Sequence, residues 1–184
     1  MQQAPETPVL SHSWGTSWPQ PEAGQPLAAS SIPALFSVIA EQNAQRTALQ
    51  HGDQQMSYAA LEQLSNQWAA YLQQHYALSA GCRVAIAMPR DLQRIVAILA
   101  VVKCGAAYVP LSTELPAARV NYMAQAADVS LVLSSSALAA AYQWPAQVPQ
   151  LITDNAGFIQ AVTQCDSQMP DYSQITADSA AHVI

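Results

Sequence analysis

The amino-acid sequence predicts an α/β fold in which strands and helices alternate to form a mostly parallel sheet flanked by helices. Three observations carry this expectation. From residue 83 onward, short apolar runs alternate with longer stretches of helical period. The runs are continuously apolar, as in strands covered on both faces, and glycine, proline and capping residues stand at the joints. With 184 residues, 51% of them apolar, a single domain with a sizeable core is in reach.

Residues 1–31 carry Pro5, Pro8, Pro19, Pro21 and Pro26 among Gln, Ser and Ala without any period. They read as a flexible, linker-like arm before a core over 32–184. Trp14 and Trp18 in the arm are apolar enough to dock on the domain or on a partner. Ser30 or Ser31 then caps a helix with Pro33 in its first turn, and Leu35, Phe36 and Ile39 share one of its faces up to about Ala44. In "TALQHGDQQMSY" two extended pieces flank His51, Gly52 and Asp53, a hairpin pattern. Leu61, Leu64, Trp68, Tyr71 and Leu72 recur at three- and four-residue steps, which predicts an amphipathic helix over 59–76.

The strand "RVAIAM" (83–88) follows. Asp91 caps a helix over 92–104, whose Leu92, Ile95, Val96, Ile98, Leu99, Val101 and Val102 wrap so far around it that most of its surface is expected to be buried. Gly105 ends that helix by supplying the left-handed conformation, and Lys103 in the last turn complements the negative end of the dipole. "AYVPL" (107–111) is the next strand. A helix over 116–127, a strand "SLVL" (130–133), a Ser/Ala-rich helix to about Tyr142, a strand near "PQLITD" (149–154) and a short helix after Asn155 continue the pattern. Repeated units of this kind form parallel sheets through right-handed crossovers.

Charge excludes some functions. Twelve acidic residues against six basic ones leave a net charge of -6, and no Lys/Arg stripe exists to follow a phosphate backbone, so nucleic acid is not an expected partner. No run approaches the roughly 18 to 20 apolar residues that span a bilayer, and the start lacks the pattern of a signal peptide. A cytoplasmic protein without membrane attachment is expected. Cys82, Cys104 and Cys165 are odd in number and far apart, which suits reduced thiols.

Two blocks carry a family resemblance. "VVKCGAAYVPL" (101–111) resembles the Leu-Lys-Ala-Gly-x-Ala-Tyr-Val-Pro block of adenylation domains, the amino-acid-activating members of the AMP-forming acyl/adenylate ligase superfamily found in nonribosomal peptide synthetases. Cys104 stands where alanine is usual. Upstream, "MSYAAL" (56–61) is similar to the family's Leu-Thr/Ser-Tyr-x-Glu-Leu, keeping Ser57, Tyr58 and Leu61, with Ala60 in place of glutamate. The loop "PLSTELPAARV" matches Pro-Leu-Asp-Pro-x-Tyr-Pro-x-x-Arg at Pro110, Leu111, Pro116 and Arg119, while Ser112 and Thr113 replace Asp-Pro.

The resemblance implies a complete domain that uses ATP and Mg²⁺ to form an aminoacyl-adenylate and passes the acyl group to the phosphopantetheine thiol of a carrier protein. It also implies that "HVI" (182–184) leads into a Ser/Gly/Thr-rich loop whose backbone N–H groups and lysine hold ATP phosphates. The family's nucleotide contacts, Mg-binding acid, amino-acid pocket and catalytic lysine all lie beyond that loop. The sequence therefore reads as the N-terminal part of an adenylation domain, truncated before the phosphate loop. The expected catalytic, cofactor-binding and metal-binding residues of this stretch are none. Such a fragment binds no cofactor by itself, and is inactive alone or completed by the remainder of the domain as a second chain. A non-catalytic α/β interaction module derived from the same family is the alternative.

The side chains, searched without the family, agree. The six glycines at 15, 24, 52, 81, 105 and 157 are scattered and form no phosphate-binding motif. His12, His51, His75 and His182 lack zinc-ligand spacing and read as surface or packing residues. Ser134, Ser135 and Ser136 sit at a strand end without a nucleophile-elbow pattern, so helix capping is their expected use. Arg90 and Arg119 are expected to be solvated or ion-paired, Cys104 to fill the core, and Tyr58 and Tyr108 to pack.

Overall fold

The computed structural model describes residues 31–184 apart from 143, 169, 172 and 173. The arm, with His12, Trp14 and Trp18, lies outside the described residues except for Ser31. In chain order the elements are α1 (Ile32–Gln42), β1 (Thr47–His51), β2 (Gln54–Ser57), α2 (Tyr58–Tyr76), β3 (Arg83–Ala87) and α3 (Leu92–Lys103). They continue with β4 (Ala107–Pro110), α4 (Ala117–Ala126), β5 (Leu131–Ser134), α5 (Ser136–Ala139), β6 (Gln150–Ile152) and α6 (Ala156–Thr163). β1 and β2 pair as an antiparallel hairpin. The other four strands form a parallel sheet in the order β4-β3-β5-β6.

Local chemistry sets the joints. The Oγ of Ser31 accepts from the Ala34 N–H to open α1, that of Ser57 accepts from Ala60 to open α2, and Asp91 accepts from Arg94 to open α3. In the hairpin His51 pairs with Gln54, leaving a two-residue loop whose first member, Gly52, has φ +58°, as a tight turn compatible with strand twist requires. α3 ends in a Schellman arrangement. Gly105, at φ +77°, donates its N–H to the Val102 carbonyl, and Ala106 donates to that of Val101.

The sheet is covered on both faces, which explains its uninterrupted apolar strands. Val84, Ile86, Leu131, Leu133 and Leu151 pack with α2, α3 and α6 through Trp68, Leu72, Val96, Ala100 and Phe158. On the other face the small Ala85 and Ala87, with Val109, Leu111 and Val132, pack against Val120 and Ala124 of α4 and against Tyr142.

Three expectations need correction. Ile39 does not share a buried face with Phe36: it is 37% exposed, and α1 packs instead through buried Pro33 and Ala40 and through Phe36, whose ring lies 6.1 Å from that of Tyr58. The helix expected to reach Tyr142 stops at Ala139, because Tyr142 turns inward to the core and its hydroxyl donates to the Thr113 carbonyl at 2.9 Å. α3 is less enclosed than its composition suggests. Its buried side is Val96, Ala97, Ala100, Val101, Val102 and Lys103, while Ile95 is 36% exposed.

Replacing Gly105 with alanine should lower stability by about 1 to 2 kcal/mol through backbone strain alone. The reason is that a Cβ there meets nothing closer than the Ile175 side chain at 3.4 Å. A reduced urea midpoint with an unchanged slope is the expected readout, and an unmoved midpoint would contradict it.

Candidate functional site

The 101–111 block contributes Lys103 to a buried polar knot between α1, α2 and α3, whose α2 members, Glu62 and Asn66, lie just after the 56–61 block. Lys103, the chain's single lysine, has no exposed surface. Its ammonium donates to Glu62 Oε2 at 2.7 Å and to Asn66 Oδ1, and stands 5.6 Å from the centre of the Phe36 ring. The other carboxylate oxygen of Glu62 accepts from Ser37 Oγ at 2.7 Å, and Asn66 Nδ2 donates to the Ser167 carbonyl at 3.1 Å. Burial pushes the Lys103 ammonium below its ordinary value, and the hydrogen bond and charge of Glu62 offset that only in part. Lys103 stands in the last turn of α3 as expected, and its amphipathic stem in addition lets the ammonium reach α2, a cross-helix role that the sequence reading did not contain.

Cys104, next along, is buried with its Sγ set against the Ala69 carbonyl at 3.5 Å. Burial, with a smaller contribution from Cys82, pushes its thiol up to about 12, so it is the inert filler expected of it. In the upstream block Ser57 caps α2, Tyr58 opens that helix and Leu61 is core. Ala60 occupies the third helical position, where a glutamate would close a capping box and where this chain makes only the Ser57 half.

Downstream of the knot, β4 presents an outer edge to residues 181–183. The Tyr108 N–H donates to the Ala181 carbonyl at 2.9 Å, and the Val183 N–H donates to the Tyr108 carbonyl at 3.0 Å. Tyr108 and His182 form a parallel bridge, and their rings stack at 4.6 Å. Residues 181–184 consequently run alongside β4 in the same direction, and Ile184 points to the carboxyl end of the sheet.

The family whose model matches, over residues 36–183, is described as AMP-binding enzyme. The chain belongs to this AMP-binding family. It is 35% identical over 125 residues to tyrocidine synthase 2 of Brevibacillus parabrevis, a match covering 68% of this chain and 4% of the relative. It is 30% identical over 154 residues to a dimodular nonribosomal peptide synthase of Bacillus subtilis (strain 168), covering 84% of this chain and 6% of that protein. Its fold matches the Klebsiella oxytoca NpsA N-terminal subdomain solved with 3-hydroxybenzoyl-AMSN, with a TM-score of 0.72 at 23% identity, over 85% of this chain and 37% of that one. The chain spans well under half the length of each of these relatives.

Other singled-out residues scatter around this frame. His51 is exposed at the hairpin, and His75 stacks on Tyr71 at 4.2 Å. Arg90 and Arg119 are exposed, and Arg119 lies over the Tyr122 ring instead of joining an ion pair. Among the described residues the ion pairs are Lys103–Glu62 and the exposed Arg83–Asp128 at 2.6 Å. The serine cluster caps differently from expectation. Ser135 makes no side-chain cap, and the cap of α5 is Asp154 from the loop after β6, which accepts from both the N–H and the Oγ of Ser136 at 2.8 Å. Partial burial would raise the Asp154 carboxyl, but the Ser136 hydroxyl and amide outweigh this and hold it below the ordinary aspartate value. Sequence reasoning missed Asp154 because its partner lies 18 residues away. Among the described residues no group of three His, Cys, Asp or Glu could hold a metal ion, and no helix is long and apolar enough to cross a membrane.

Removing one member of the knot should be asymmetric. Glu62→Ala strands an ammonium with no exposed surface and should cost about 3 to 5 kcal/mol. Lys103→Met leaves a carboxylate whose side chain is 18% exposed and still bonded to Ser37, and should cost clearly less by denaturant unfolding; equal losses would overturn this ranking. Ala60→Glu should raise stability by about 0.5 to 1 kcal/mol by completing the capping box.

Proposed function

We propose that this chain is the scaffold portion of an amino-acid-activating adenylation domain, with residues 32–184 forming a partial N-terminal core and residues 1–31 an arm before it. The complete domain would use ATP and Mg²⁺ to form an aminoacyl-adenylate and would load a carrier protein. The observation that carries this reading is the outer edge of β4, where the Tyr108 backbone and ring hold 181–183 parallel to the sheet. A phosphate loop continuing from Ile184 would emerge at the carboxyl end, where open α/β sheets bind ligands. The resembling blocks, on this reading, set a strand in place and touch no nucleotide.

The described residues do not by themselves fit a magnesium triphosphate. The only lysine is locked in the knot, Arg90 and Arg119 are exposed on separate elements, and no metal-ligating group of three assembles. No chemical step is therefore assigned to a side chain of this chain. Its contribution is position: the knot orients α3, the Schellman turn launches β4, and β4 aligns the segment beside it.

ATP–pyrophosphate exchange measured on the purified chain with a panel of amino acids should stay at background. Clear exchange with any of them would overturn the scaffold reading.

A further inference from the structure

α1 is apolar on two opposite sides, and the described residues cover only one of them. Its inner side, with Pro33, Phe36 and Ala40, packs toward α2 and α3, and Ser37 bonds to Glu62 there. Helical geometry puts Ile32, Leu35, Val38 and Ile39 together on the outer side, across an arc of about 120°. Ile32 is 55% exposed, Val38 53% and Ile39 37%, and Leu35 is half-buried. A helix that is apolar all round belongs inside a larger body. Single exposed aliphatic residues need no explanation, but four adjoining ones on one eleven-residue helix form a patch with something to meet.

A second copy of the chain is a poor fit for this patch, because four side chains are far fewer than the roughly 20 to 30 residues a side of a stable interface. The arm is a better one. It joins α1 directly at the Ser31 cap, and a tether of that kind raises local concentration to the millimolar range while removing most of the cost of association. Twelve residues separate Trp18 from Ser31, enough to span roughly 40 Å when extended, against roughly 16 Å for the eleven residues of α1. Trp18, and Trp14 four residues before it, can therefore reach any point of the face. The chemistry matches as well. Residues 7–21 hold Val9, Leu10 and both indoles and no Asp, Glu, Lys or Arg, and residues 32–40 carry no charge either. Indoles supply large apolar area at the cost of few rotatable bonds.

We propose that the outer side of α1 is the docking surface for the arm of this same chain, with the indoles of Trp14 and Trp18, themselves outside the described residues, seated on Ile32, Leu35, Val38 and Ile39. The contact involves α1 and the arm alone and does not depend on the adenylation reading.

Fluorine NMR of the full chain, with its four tryptophans replaced by 5-fluorotryptophan, tests this. Substituting each tryptophan in turn by phenylalanine assigns the four signals. In the parent chain the Trp14 and Trp18 signals should stand apart from that of free 5-fluorotryptophan and hold their positions on dilution. Val38→Ser combined with Ile39→Gln, both at exposed positions, should raise the undocked population about ten-fold and move the two signals toward the free value. The buried Trp68 should keep its signal and so report an intact fold. The proposal is overturned if Trp14 and Trp18 resonate at the free position in the parent, if the double substitution leaves them unmoved, or if their displacement fades on dilution, which would assign the face to a second copy. Should the double variant shift Trp68, Val38→Ser alone decides by the same two signals.

Discussion

Lys103 places a full positive charge where no water reaches, and the geometry around it follows from satisfying that charge. Glu62 and Asn66, one helical turn apart on α2, meet the ammonium; Ser37 on α1 steadies the carboxylate from its other side. An arrangement of this kind contributes little net stability compared with a well-packed apolar cluster, since desolvation offsets most of the attraction. What it does restrict is rotation. α3 has one orientation against α2 in which these donors find their acceptors, and a helix held in one rotation delivers its last turn, Gly105 and the start of β4 to one place.

Apolar packing alone would be less selective. The core between α2, α3 and the sheet is made largely of Val, Leu and Ala side chains, which tolerate sliding and small rotations when volume is conserved. Buried polar groups do not, because a displaced donor or acceptor is left without a partner. The family's block places its lysine at the helix end next to the glycine turn, and here the two act in sequence: the lysine orients the helix, and the glycine sets the direction of the chain that leaves it.

Much of this was legible in the amino-acid order because it is written in local signals. Caps at Ser31 and Asp91, the Gly52 turn and the Gly105 stop depend on neighbours within a few residues, and the doubly covered strands announce themselves by unbroken apolar runs. What was not legible depends on distant partners. The reach of Lys103 to Glu62 spans 41 residues and the Asp154 clamp on Ser136 spans 18, and no periodicity encodes either. Ile39 and Tyr142 were misplaced for a related reason: helical spacing says which residues share a stripe, not whether a neighbour arrives to cover it. The strand order β4-β3-β5-β6 is likewise not contained in a linear reading of strand and helix.

The seam between Tyr108 and residues 181–183 joins positions 74 residues apart, counted from Tyr108 to His182, through two backbone hydrogen bonds and one ring stack, with Val183 packed against the apolar cluster that includes Val109. Contacts so distant along the chain close late in folding, after the block of neighbouring units has consolidated. Few bonds also mean a low free energy of local opening. The outcome is a compliant hem stitched to a stiff panel: polypeptide tethered through it can breathe by small displacements while β3, β5 and their covering helices stay fixed.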